Sequence, residues 1–247
     1  MTTPGNHTRL MNSPLSSRIA AIDWSSLTWR LDHEGFATTG ALLDEKECRT
    51  VAALYDEERR FRSRVVMAQH NFGIGEYKYF AYPLPNLVQT LRRGFYPALA
   101  RIANGWADAL GQDPSFPSKL DDYLEHCHEA GQKRPTPLLL KYQAGGYNCL
   151  HQDLYGELVF PFQLTVLLSS PHHDFEGGEF LLTEQRPRMQ SRGVVIPLRE
   201  GEAVIFPVRY RPIRGKRGHY RAAMRHGVST IREGNRMTLG VIFHDAK

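Results

Sequence analysis

The chain has 247 residues, 41% of them hydrophobic and 23% charged, a balance that excludes fibrous and disordered classes and leaves material for a real core. Its formal charge of +5 suits an acidic partner such as nucleic acid without demanding one. Three cysteines (Cys48, Cys127 and Cys149), odd in number and without framework spacing, argue for a reducing compartment rather than a disulfide scaffold. No signal-peptide core opens the chain and no apolar run is long enough to span a bilayer, so a cytoplasmic protein with no membrane partner is expected.

Residues 1–16 are rich in Thr, Ser, Asn, Pro and Gly and read as a flexible tail. From Gly35 to Thr39 a short strand is expected. Asp44 then caps a helix running to about Phe61, with Cys48, Val51, Leu54 and Tyr55 at helical spacing. A second amphipathic pattern runs from Leu87 to Leu110, and a third helix from Ser118 to Ala130 stops at Gly131. Residues 17–134 therefore read as helical support packed on a core.

The character changes at Pro135. Strand-like runs follow at 138–142, 150–153, 163–168, 179–182, 194–197, 203–206, 225–231 and 237–243, separated by turn signals such as Gly145-Gly146, Gly177-Gly178 and Glu233-Gly234-Asn235. Short strands at this spacing predict a sandwich or barrel over 135–247, the whole forming a single α+β domain whose core is mainly β.

Within that half, His151-Gln152-Asp153 places two unlike ligands two residues apart, which a strand would put on one face. A histidine from a distant strand would complete two imidazoles and one carboxylate, the set that holds one face of an iron(II) ion and leaves the other open. His226 opens a β-branched run and is followed ten residues on by Arg236, whose planar fork suits a carboxylate co-substrate. His219 is the rival for the distal position. His172 and His173 read as loop residues, and His244 as structural. Alone, a His-x-Asp triplet is weak; the ordered sequence Tyr142, Gly145-Gly146, Gly177-Gly178, His226 and Arg236 around it carries the argument.

With these landmarks the sequence resembles the iron(II)/2-oxoglutarate dioxygenase superfamily from about Pro135 onward, with Gly35 to Phe61 similar to that family's lead-in. The resemblance implies a double-stranded β-helix (jelly roll) with supporting N-terminal helices. It implies His151, Asp153 and His226 as ligands of Fe(2+), Arg236 as the partner of the distal carboxylate of 2-oxoglutarate, and Tyr142 against the same group. Thr238, two along the strand from Arg236, would face the same way and add a hydroxyl. It further implies consumption of dioxygen and 2-oxoglutarate, release of succinate and carbon dioxide, and hydroxylation of a substrate.

The stretch Leu138-Leu139-Leu140-Lys141-Tyr142 through Asp153 is similar to the repair dioxygenases of alkylated nucleic acid, and to bacterial oxygenases acting on damaged DNA. Leu140 departs from the asparagine those repair enzymes carry, and the ten-residue arginine spacing is closer to prolyl hydroxylases. A protein or small-molecule hydroxylase therefore stays open beside oxidative demethylation, and a non-catalytic jelly-roll binder stands as a third class. The segment 208–225 reads as a basic insertion bordering the active-site mouth, in which Arg214, Lys216 and Arg217 would meet phosphates. Phe72 to Phe80 reads either as a lid offering Tyr77 and Tyr79 to substrate or as a buried hairpin.

Overall fold

The computed structural model describes Met11 and residues 13–247; of the N-terminal segment expected as a tail, residues 1–10 and 12 lie outside the described residues. Among the described residues five α-helices, interleaved with strands, precede the β-rich half: α1 (Leu15–Ala20), α2 (Trp24–Glu34), α3 (Glu45–Ala53), α4 (Asn86–Ala109) and α5 (Leu120–Glu129). Local chemistry sets their ends. The Asp23 carboxylate accepts from Ser26 N at the start of α2, and Gly35 closes that helix in the left-handed region. Asp44 and Glu47 form a reciprocal capping box at the start of α3.

Contrary to the expected run to Phe61, α3 ends at Ala53 and passes into 3₁₀ turns at Leu54–Asp56 and Glu58–Arg60. At Phe61 the chain enters β2 (Phe61–Val66), an edge strand whose side chains are almost all half-exposed, so it carries little alternation to read. The other early strands are β1 (Ala37–Ala41), β3 (Gly73–Ile74) and β4 (Glu76–Phe80). Residues 17–134 thus supply sheet as well as helix.

Ten strands follow: β5 (Leu138–Gln143), β6 (Tyr147–His151), β7 (Phe162–Leu167), β8 (Phe175–Gly177), β9 (Phe180–Gln185), β10 (Arg192–Ile196), β11 (Glu202–Pro207), β12 (Tyr210–Gly215), β13 (Gly218–Val228) and β14 (Ile231–Ile242). They form two antiparallel sheets. The larger runs β1-β11-β7-β14-β5-β4-β2 with β8 also on β14, and the smaller runs β10-β9-β13-β6-β3 with β12 also on β13. This is the double-stranded β-helix with N-terminal helices that the sequence predicts.

The larger sheet is the partition of the molecule. On β7, Phe162, Leu164 and Val166 join the helix-side core with Leu99, Trp106 and Ile205. The alternate residue Leu167 packs toward the smaller sheet among Phe180, Leu182, Phe206 and Met224. On β14, Leu239 and Val241 face the helices while Arg236, Thr238 and Gly240 face the space between the sheets. The C-terminal end of β14 is tied to the helices: buried Arg92 donates to Ile242 O at 2.8 Å and pairs with Asp245 at 2.7 Å, which His128 meets at 2.9 Å.

Candidate metal centre and co-substrate clamp

Between the sheets lies a cavity of about 410 Å³. On the smaller sheet β13 pairs with β6 so that His226 sits directly opposite His151. Asp153 lies just past the end of β6 rather than on the strand, so the chain's exit from the sheet, not strand periodicity alone, brings the carboxylate back to the imidazoles. Its two oxygens stand 3.5 Å from His151 Nε2 and 3.3 Å from His226 Nε2, and the three ligand atoms lie within 4.8 Å of one another.

The hydrogen bonds select neutral tautomers that suit ligation. His151 Nδ1 lies 2.7 Å from Cys149 O, which can only accept, so Nδ1 carries the proton and Nε2 keeps a lone pair. Burial opposes the charge of Asp153, but the two imidazoles outweigh it and hold the carboxyl well below its usual range. Tyr155 donates to the same carboxylate at 2.7 Å. Burial and the neighbouring His151 push His226 down, so it stays neutral. For His151, Asp153 and the Cys149 carbonyl overcome burial and raise the value.

Arg236 occupies the wall facing this triad. It is 2% exposed, and its Nε and Nη1 are buried with no partner among the described residues. Cross-strand pairing sets it opposite Tyr142, the guanidinium carbon lying 5.8 Å from both the Tyr142 and Phe175 ring centroids. Asn148 donates to the Tyr142 hydroxyl at 3.3 Å. Burial lowers Arg236 to about 10, against the pull of Tyr142 and Glu179, so it remains a cation at neutral pH. Two buried guanidinium donors without acceptors are costly unless an anion meets them, so the residues present fit a carboxylate co-substrate. Gly178, with φ +63°, makes room: a Cβ there would stand 2.9 Å from Arg236 Cδ and 2.3 Å from Ile231 Cδ1. Thr238 lines the same cavity, as the two-residue offset predicts.

The histidines set aside by the sequence lie elsewhere. His219 is exposed near the turn between β12 and β13, an odd number of residues from His226 and so on the opposite face. His172 and His173 are exposed, and buried His244 is absent from the cavity wall, its Nδ1 accepting from Phe160 N at 3.2 Å.

The substrate candidates separate. Tyr77 lines the cavity, whereas Tyr79 packs behind it, ring to ring at 5.4 Å, beneath the Arg62 guanidinium. The Phe72–Phe80 segment is neither a free lid nor a hairpin of its own: β3 pairs with β6, and β4 is built into the larger sheet between β2 and β5. The 208–225 insertion is the β12–β13 hairpin. Only its root borders the metal loop, where Gln152 donates to Arg209 O at 3.2 Å and Met224 O at 2.8 Å. Arg214, Lys216 and Arg217 are exposed around its turn and do not line the cavity, because β13 extends eight residues beyond His226 toward that end. Two cavity residues carried no sequence signal: Gln163, whose amide nitrogen is 3.1 Å from His226 Nε2, and Asn148.

A jelly roll holding two histidines and a carboxylate beside a buried arginine defines an oxygenase of the iron(II)/2-oxoglutarate class. Residues 75–246 match the family described as "Oxygenase, catalysing oxidative methylation of damaged DNA", and the chain belongs to it. It is 51% identical over 167 residues to uncharacterized proteins from two strains of Mycobacterium tuberculosis, CDC 1551 / Oshkosh and ATCC 25618 / H37Rv; the match covers 68% of this chain and 72% of each relative. A Pseudomonas putida prolyl-4-hydroxylase shares the fold at 12% identity and TM-score 0.50, over 91% of this chain and 99% of that one. A Burkholderia pseudomallei oxidoreductase of the 2OG-Fe(II) oxygenase family does so at 16% identity and TM-score 0.50, over 90% and 92%. No helix among the described residues is long and apolar enough to cross a membrane.

Proposed function

We propose that this protein is an iron(II)- and 2-oxoglutarate-dependent dioxygenase that demethylates alkylated nucleic acid. The observation that carries the co-substrate is Arg236, buried with two unpartnered donors on the cavity wall that faces the triad. His151, Asp153 and His226 would hold the iron, and Arg236, with Thr238 and Tyr142, would grip the distal carboxylate of 2-oxoglutarate. When bound, the metal with 2-oxoglutarate and dioxygen supplies the oxidant that hydroxylates a C–H bond, leaving succinate and carbon dioxide. An N-methyl group so hydroxylated breaks down to formaldehyde and the restored base.

Each side chain has a separate task. The Cys149 carbonyl fixes the His151 tautomer, and Tyr155 fixes the Asp153 carboxylate. Leu138, Leu140, Phe180 and Val228 keep the cavity wall apolar and exclude water. The nucleic-acid substrate is supported by the family's description and by the hairpin. Arg209, Arg214, Lys216, Arg217, Arg221 and Arg225 form no ion pair among the described residues, and Arg209 and Arg221 flank the Tyr210 ring at 4.7 and 5.8 Å. A row of free cations with an aromatic face suits a phosphate backbone.

Anaerobic addition of iron(II) and 2-oxoglutarate should produce a visible charge-transfer band, and in air methylated oligonucleotides should release formaldehyde. A missing band, with 2-oxoglutarate unconsumed, would sink the oxygenase reading. The ten-residue spacing from His226 to Arg236 favours a second reading, a protein or small-molecule hydroxylase; succinate formed independently of any base would support it.

A further inference from the structure

The side chains lining the cavity include, among the described residues, one carboxylate (Asp153) and one guanidinium (Arg236). Asp153 is committed: both histidines and the Tyr155 hydroxyl lie against it. Arg236 sits at the closed wall beside Tyr142. The rest of the lining is uncharged: the amides of Asn71 and Gln163 and the hydroxyls of Thr165 and Tyr77 stand among apolar side chains, with the ring of Phe72 at the mouth. Gln163 is 4% exposed and its Oε1 is buried without a partner.

A group entering this space loses its hydration. For a neutral ring the amides and hydroxyls replace the lost hydrogen bonds, and the aromatic and aliphatic wall replaces the rest. A ring bearing a fixed positive charge would need a carboxylate at hand, and the cavity has none to spare. Nor do the loaded cofactors provide one, since Asp153 and Arg236 already balance a divalent metal and a dianionic co-substrate. Gln163 is a neutral amide, so it can hydrogen-bond a base without supplying a counter-charge.

We propose that the cavity is selective for neutral alkylated nucleobases and discriminates against bases whose alkylation leaves a positive charge at neutral pH. The inference rests on the nucleobase reading above and adds the charge class of the base. Single-stranded oligonucleotides differing at one position, 3-methylthymine (neutral) or 3-methylcytosine (cationic at neutral pH), carry the same methyl group on the same ring size. They would compete anaerobically for the protein loaded with manganese(II) and 2-oxoglutarate, with formaldehyde release by the iron enzyme as a second readout. The neutral base should win by about tenfold or more in binding. Equal binding, or preference for the cation, overturns the charge inference and leaves the demethylase reading standing. Binding of neither above an unmodified strand overturns both.

Asn71→Asp provides the complementary test. Asn71 has φ +58°, a region that Asp also tolerates, so the variant should fold, as its melting curve would verify. A new carboxylate at the mouth should narrow the preference for the neutral base by roughly threefold or more. An unchanged ratio in the folded variant would count against charge as the quantity the cavity reads.

Discussion

The two faces of the larger sheet are built from the same strands and obey opposite rules. Toward the helices, β7 and β14 present Leu164, Val166, Leu239 and Val241, each fully buried in one continuous apolar core. Toward the smaller sheet the alternate residues are Gln163, Thr165, Arg236 and Thr238. Gln163, His226 and Arg236 leave four buried polar atoms around that cavity without partners among the described residues. A protein that only needed to be stable would not bury an unpaired guanidinium, so one face pays in stability for what the other supplies. The difference teaches that function here is read from unsatisfied polarity, and fold from the dry side of the same strands.

Substitutions on either side should therefore fail in different currencies. The largest effect is expected at the triad: His151→Ala should lower turnover by at least about a thousandfold and abolish the charge-transfer band, while the melting temperature of the metal-free protein changes little. Next comes Arg236→Met, which removes the orphaned donors. The affinity for 2-oxoglutarate, measured by calorimetry, should fall by about a hundredfold or more, with iron binding retained and stability unchanged or raised. A stability loss like that of a core deletion would erase the contrast between the faces.

On the dry face, Leu239→Ala should cost about 3 kcal/mol and lower the melting temperature by roughly 10 °C, leaving the KM for 2-oxoglutarate close to that of the parent. Behind it, His244 supplies a pH term of similar size. Burial, with Arg92 nearby, lowers His244 to about 4, below the 6.5 of the unfolded chain. As pH falls below 6.5 the unfolded chain takes up a proton that the native protein does not, so stability drops until about pH 4, by on the order of 3 kcal/mol. His244→Gln should flatten that part of a denaturation-against-pH curve. The smallest effect belongs to the hairpin: reversing charge at Arg214, Lys216 and Arg217 should reduce the salt dependence of oligonucleotide binding without altering 2-oxoglutarate affinity. An undiminished slope would remove the hairpin turn from the contact surface.

Much of this contrast could be read in the chain. The period of two carries Arg236 and Thr238 to one side and Leu239 and Val241 to the other, and the Gly177-Gly178 signal marks the bend that gives Arg236 its room. Less visible were features set by long-range pairing. Strand β2 lacks alternation because it lies at an edge, and the basic run 208–225 looks like a loop until β12 and β13 pair along their lengths. Gln163 has no motif; only its place on β7, across the cavity from β13, brings it to His226. The distinction between Tyr77 and Tyr79 likewise depends on how far along β4 the cavity reaches.

The direct pairing of His151 with His226 has a mechanical consequence. Strand β6 meets β13 at two registered positions and its other neighbour, β3, only through Gly73 and Ile74. An ion held by both histidines would be a cross-strand clasp on a sparsely paired strand of the smaller sheet, one that carries exposed Tyr147 and Leu150. Removing it should quicken amide exchange along residues 72–75 and 147–151, so the cavity rim would become firm only once the metal is in place.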